Sequence, residues 1–210
     1  MRFFPLIFLI FSLMSVPVLA MEPVFEDDAQ GILQGLLATD GKSGDASAME
    51  VTVMERVQGE MVTRVITASP GQGVNILVEF DSGKATLRSA SRAVLRELGQ
   101  ALASPDLQGR RVVLRGHTDA DGPADMNRRL SLERAETVRS FLLSEAGLES
   151  NMIEVQGFGE EMPVAANDTL SGKQRNRRVE VVLVPLGDAG PESPGLGDAL
   201  GVDDGGAIKW

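Results

Sequence analysis

The chain has 210 residues, of which 43% are hydrophobic and only 4% aromatic, with no Tyr, no Cys and a single His. Without Cys there are no disulfides, thiolate chemistry, Cys-ligated zinc, iron–sulfur clusters or lipidated N-terminal Cys, and one His cannot build a three-His metal site. The scarcity of aromatics argues against an outer-membrane barrel, and a formal charge of −10 from 20 basic and 30 acidic residues makes a poor general binder of nucleic acid.

Residues 1–20, MRFFPLIFLIFSLMSVPVLA, read as a secretory signal peptide. Arg2 supplies the positive start, the apolar run Phe3–Met14 is short for a membrane span, and Val18 and Ala20 suit cleavage after Ala20. The expected product is extracytoplasmic and carries no transmembrane segment after cleavage. Residues 21–72 form an N-terminal segment of unassigned role. Its weak apolar patch of Ile32, Leu33, Leu36 and Leu37 fits one or two helical turns; the remaining Gly-, Asp- and Ser-rich stretch up to 48 is expected to be mobile. Val51 and Val53 alternate with polar neighbours, so two strands hinged near Gly59 are predicted within 49–68.

Stronger signals begin at Gly73. Val74–Phe80 reads as a strand, and Leu87, Ala90, Val94, Leu98 and Leu102 recur at helical spacing over 87–103. Arg110–Gly116 is a second strand. Leu130, Ala135, Val138 and Leu142 line a second helix that Gly147 ends, and Ile153–Phe158 is a third strand. The polar stretch Asn167–Arg178 leads to a last strand, Val179–Val184. The order βαβαβ followed by β predicts an α/β fold over 73–185: a single mixed sheet with helices packed on one face. Residues 186–210 read as a flexible acidic Gly/Pro-rich tail closed by Ile208-Lys209-Trp210.

The densest polar cluster is GHTDADGPADMNRRLSLERAETV, Gly116–Val138, where a strand hands over to a helix. Crevices for ligands form at such places in α/β sheets. Asp119 lies just past the strand and Arg134 in the early turns of the helix. Brought together by the loop, they would offer an anion and a cation about one amino acid apart. A zwitterion suits that pair, its ammonium on Asp119 and its carboxylate on the Arg134 fork, with help from the helix N-terminus. A plain Asp119–Arg134 salt bridge satisfies the same spacing equally well.

Other motifs are weaker. An EF-hand starting at Asp119 and continuing through Asp121 and Asp125 needs Gly at 124 and Glu at 130, where the chain has Ala124 and Leu130. Gly41-Lys42-Ser43 ends like a phosphate loop, but the leading Gly is replaced by Leu36. No cofactor and no metal are expected. His117 reads as a structural hydrogen-bonder, since general-base work needs a nucleophile and an orienting partner. Ser131 reads as a helix cap. Glu160 and Glu161 lie in a turn without a visible apolar pocket to raise a pKa, and no enzyme activity is expected.

Several separated motifs, in order, resemble the peptidoglycan-binding domain shared by outer-membrane protein A, the peptidoglycan-associated lipoprotein and flagellar stator proteins. They are FDSGKATL (Phe80–Leu87), GHTDADG (Gly116–Gly122), Asn127, LSLERAETV (Leu130–Val138), GFGEEMP (Gly157–Pro163) and NRRVEV (Asn176–Val181). The resemblance implies noncovalent binding of peptidoglycan through the diaminopimelate of its stem peptide, in the periplasm, free or against the outer membrane. It implies that Asp119 takes the ammonium and Arg134 the carboxylate, that Thr118 and Leu130 line the pocket, that Phe80 and Asp81 form a wall, and that Arg178 adds positive charge. Asn127 would brace the loop or cap the helix. A competing expectation is a scaffold protein whose residues 21–72 or tail hold another envelope protein while the pocket is idle.

Overall fold

The computed structural model describes residues 25–40, 49–68 and 73–184. The segment read as a signal peptide and the tail ending in Trp210 lie outside the described residues. The elements run α1 (Ala29–Thr39), β1 (Met49–Val57), β2 (Glu60–Ala68), β3 (Val74–Ile76), α2 (Ser91–Leu102), β4 (Val112–His117), α3 (Ala124–Glu145), β5 (Ile153–Gly159), α4 (Leu170–Asn176) and β6 (Val179–Leu183). One mixed sheet has the strand order β2-β1-β5-β4-β6-β3. Only β4 and β5 run parallel; the other neighbours are antiparallel.

Alternation along the strands decides what each face carries. Val112 and Leu114 of β4 and Val179, Val181 and Leu183 of β6 face the helices, where they meet Leu95, Leu98 and Leu102 of α2 and Ala135, Val138 and Leu142 of α3. The helices α1, α2 and α3 thus share one face of the sheet, as the βαβ pattern predicts. On the other face, Val51, Val53, Ala68, Phe158 and Met162 form a second apolar cluster. Beside it lie buried polar groups: Asn75, Arg115, His117, Arg178 and Glu180, each under a tenth exposed.

The N-terminal segment is part of this construction. Asp28 caps α1 by accepting hydrogen bonds from the Gln30 and Gly31 amides, and Ile32 and Leu36 are fully buried in the main core. α1 is therefore longer than the predicted turn or two, and it is anchored because its small apolar stripe meets Val74 and its neighbours. The hairpin hinges where expected. Gln58 and Gly59 both have positive φ, 51° and 89°, and Val57 faces Glu60 across the two-residue turn, as a type I′ hairpin requires.

Two boundaries differ from the sequence reading. The strand foreseen over 74–80 keeps ladder pairing only through Ile76. Beyond it the chain folds back on itself through a Phe80–Leu87 bridge. Ser91 Oγ pins the base of this loop, accepting from the Glu79 amide at 2.7 Å and donating to the Glu79 carbonyl at 3.2 Å. Leu87 is spent on the bridge, so α2 starts at Ser91. α3, in turn, begins at Ala124, well before Ser131, with Pro123 at its N-cap and Asp125 in its first turn. Its first turns face polar partners and so carry no apolar stripe to announce them.

Candidate functional site

The site sits beyond the C-terminal end of β4. Two glycines let α3 press onto the sheet there. A Cβ on Gly116 would lie 2.1 Å from the Ser131 carbonyl oxygen, and one on Gly157 would lie 2.4 Å from that of Arg128. Ser131 completes the clamp, accepting from the Gly159 amide at 2.9 Å and donating to the Arg128 carbonyl at 2.8 Å. It is a tie between helix and strand and not a helix cap. Arg134, one turn on, is thereby held at a fixed height above Asp119.

Asp119, Arg134, Thr118, Leu130 and Phe80 line one hollow of ≈ 530 Å³. Arg134 is 6% exposed. Its guanidinium lies 5.0 Å from the Phe80 ring centroid, a cation–π placement. Among the described residues its one side-chain hydrogen bond runs from Nε to the Lys84 carbonyl at 3.1 Å, which leaves both terminal amino groups to the hollow. Burial lowers its pKa, and the charge of Asp119 offsets part of that shift. Asp119 does not bond to Arg134. Its Oδ1 accepts from the Asp121 amide at 3.2 Å, and its Oδ2 accepts from Arg177 Nη1. The Thr118 hydroxyl is buried and has no partner among the described residues, a polar atom with hydrogen-bonding capacity unspent.

The loop behind the pair is braced. Asn127 Nδ2 donates to the Asp119 carbonyl at 3.3 Å, the Asp121 carbonyl at 3.2 Å and Glu160 Oε2 at 2.6 Å. Asn127 also borders the hollow. Asn176, fully buried, holds the facing loop by accepting from the Val164 and Ala165 amides and donating to the Ala165 carbonyl.

Two expected pocket residues lie elsewhere. Arg178 points to the opposite face of the sheet, where its Nε donates to Asn75 Oδ1 at 2.7 Å and its Nη2 to the Met162 carbonyl at 3.0 Å. The positive charge added to that of Arg134 on the hollow comes instead from Arg177 and Arg88. The reason is local: Arg177 caps α4 beside the hollow, whereas Arg178 enters the β6 alternation one step out of phase. Asp81 stays outside the lining residues and lies 3.8 Å from Arg88 Nε, while its neighbours Ser82 and Gly83 border the hollow. Sequence reasoning missed Arg177, although the Arg pair at 177–178 announced that one of the two would face each side.

His117 is buried against the Phe158 ring, with its Nε2 3.3 Å from Glu180 Oε2. Burial first, then the positive charge of Arg178, pushes its pKa down to about 4. Glu180 is held below the usual range despite burial, through its hydrogen bond to His117 and the charges of Arg115 and Arg178. The ring therefore stays neutral at neutral pH and does not reach the hollow. Among the described residues no group of three or more His, Cys, Asp or Glu could hold a metal ion. The three aspartates that suggest calcium each have a cation partner: Arg177 for Asp119, Lys173 for Asp121 and Arg128 for Asp125.

Residues 79–177 match the OmpA family, so the chain carries an OmpA-family domain. Over 109 residues, 52% of this chain and 48% of the relative, it is 41% identical to the probable lipoprotein YiaD of Escherichia coli. It is 38% identical over 111 residues to the outer-membrane lipoprotein YfiB of Pseudomonas aeruginosa, covering 53% of this chain and 64% of that one. With motility protein B of Bacillus subtilis it shares 36% identity over 115 residues, 52% of this chain and 43% of the relative. A solved structure, the peptidoglycan-associated lipoprotein from Burkholderia pseudomallei, aligns with a TM-score of 0.45 at 29% identity, over 55% of this chain and 94% of that one. The chain spans about half the length of the first curated relatives it matches, 43–53%. No described helix is long and apolar enough to cross a membrane.

Proposed function

We propose that this protein binds peptidoglycan noncovalently, gripping the free amino-carboxylate end of diaminopimelate in the stem peptide, and that it acts as an anchor or scaffold in the bacterial envelope without cutting its ligand. One observation carries the reading: Asp119 and Arg134 present opposite charges to the same hollow without bonding to each other. An ammonium would share Asp119 with Arg177, and a carboxylate would take the two unused amino groups of Arg134 in a fork. Thr118 supplies a hydroxyl in want of a partner. The names of the sequence relatives, among them an outer-membrane lipoprotein and an outer membrane protein A, support a place in the envelope. The leader over 1–20 would deliver the protein to the periplasm, free or against the outer membrane.

Co-sedimentation with purified diaminopimelate-type sacculi tests this. The wild type should pellet with the wall. Asp119→Ala and Arg134→Ala should each lose on the order of 2–5 kcal/mol, because each leaves a ligand charge unpaired in a buried site. Lys-type stems lack the second carboxylate and should bind far more weakly. Equal pelleting of wild type and both variants, or equal affinity for both stem types, refutes the reading. Release of soluble fragments from the sacculi would show that the protein cuts what it binds.

A further inference from the structure

The strand β2 ends the sheet, and nothing among the described residues pairs with its outer edge. It is 9 residues long and has neither Pro nor a bulge to blunt its edge, and Arg64 is its one charge between Met61 and Ala68. The hairpin geometry fixes which backbone groups are free. Across a two-residue turn, Val57 and Glu60 form a hydrogen-bonded pair, and the register then alternates. Glu60, Val62, Arg64 and Ile66 therefore turn their amides and carbonyls toward β1, while Met61, Thr63 and Val65 turn theirs outward. The same three residues project from the helix side of the sheet, the side on which Arg56 of β1 reaches Glu136 of α3. All three are exposed, Val65 at 63% and Met61 at 44%.

We propose that β2 pairs antiparallel with β2 of a second copy of this chain, centred on Thr63, so that the two sheets become one. The side-chain pattern is palindromic about that residue. Met61 meets Val65 twice and Thr63 meets Thr63, each a hydrogen-bonded pair made from the free groups. On the other face Val62 meets Arg64, which keeps its own partner Glu55 at 2.9 Å, and no like charges oppose each other. Neighbouring registers are worse. A shift of the pairing one way sets Arg64 against Arg64, and a shift the other way leaves Val65 opposite the turn at Gly59. Charge and apolar complementarity thus favour a second copy in one register over an arbitrary extended peptide. The contact is small, so the association is weak, on the order of 10 μM to 1 mM. Local concentration on an envelope surface would strengthen it. The pairing lies outside the residues matched to the OmpA family, 79–177, and does not depend on what fills the hollow.

The absence of Cys allows a direct test on the chain as purified from the envelope of an expressing host. Paired residues of this type sit with Cα atoms about 5.5 Å apart, within reach of a disulfide. Under mild oxidation Thr63→Cys should form a covalent dimer on the order of 10-fold faster than Leu170→Cys, an exposed control away from the edge. In sedimentation the wild type should show a monomer–dimer equilibrium that Thr63→Pro abolishes. The Thr63 amide points outward, so Pro there spares the pairing with β1. If Thr63→Pro fails to fold, Val65→Lys gives the same readout. Equal cross-linking of the two Cys variants overturns the proposal. So does a wild type that stays monomeric up to about 1 mM, or association that survives both edge variants. Cross-linking of Thr63→Cys to another protein in place of itself overturns it too.

Discussion

His117 is the chain's only histidine, which makes the loss of stability between about pH 7 and about pH 5 assignable to one side chain. Its pKa falls from 6.5 to about 4 in the folded state. The sign follows from proton counting. Between those values the unfolded chain binds a proton that the folded chain refuses, so stability is full above the unfolded value and drains away as pH falls toward the folded one. Integration of that difference gives a loss of about 2 kcal/mol between about pH 7 and about pH 5, and about 3 kcal/mol by about pH 4. Glu180 also has a depressed pKa, but its loss of stability begins only as pH drops below the unfolded carboxylate value. The upper window therefore belongs to the histidine. Urea unfolding across this window should show the decline in the wild type. His117→Gln keeps a donor for Glu180 and should be less stable at neutral pH from lost contact with Phe158, yet nearly flat in that window. A variant with the same slope as the wild type, or a wild type without slope, would refute the argument that burial keeps this imidazole neutral.

Leu36→Ala should lower unfolding stability by about 2–4 kcal/mol, since Leu36 is fully buried in the main core; a loss under about 0.5 kcal/mol in denaturant titration would mean α1 is not part of the cooperative unit. Gly116→Ala drives a methyl group into the backbone of α3 and should cost about 3 kcal/mol or more, visible as a fall in Tm. Its folded fraction should also bind wall material less well, because α3 carries Arg134. Arg178→Ala removes a buried cation from Asn75 and the Met162 carbonyl and should destabilise by about 2–4 kcal/mol. In sedimentation with sacculi below its Tm it should still bind; a stable Arg178→Ala that cannot bind would return Arg178 to the pocket.

Periodicity and turn chemistry suffice for the βαβαβ order, the two central strands, the core stripes of both long helices and the hinge at Gly59, because each of these is a local consequence of residue spacing. The ordered motifs also pick out Asp119 and Arg134 as the pair to watch. What they leave open is whether the two are bonded to each other. That depends on how far α3 stands from β4 and β5, which the bare backbone at Gly116 and Gly157 sets through contacts between residues distant in sequence. The choice between Arg177 and Arg178 is likewise tertiary: one position along the chain reverses the face, and nothing within the Arg pair says where α4 ends. The anchoring of α1 follows the same logic, since a short apolar stripe becomes helix and core only when a sheet stands opposite it. The chain alone therefore fixes the βαβαβ order and which charges are on offer. Close approach between distant segments decides which charges meet in one hollow, because burial and electrostatics act through space and not along the sequence.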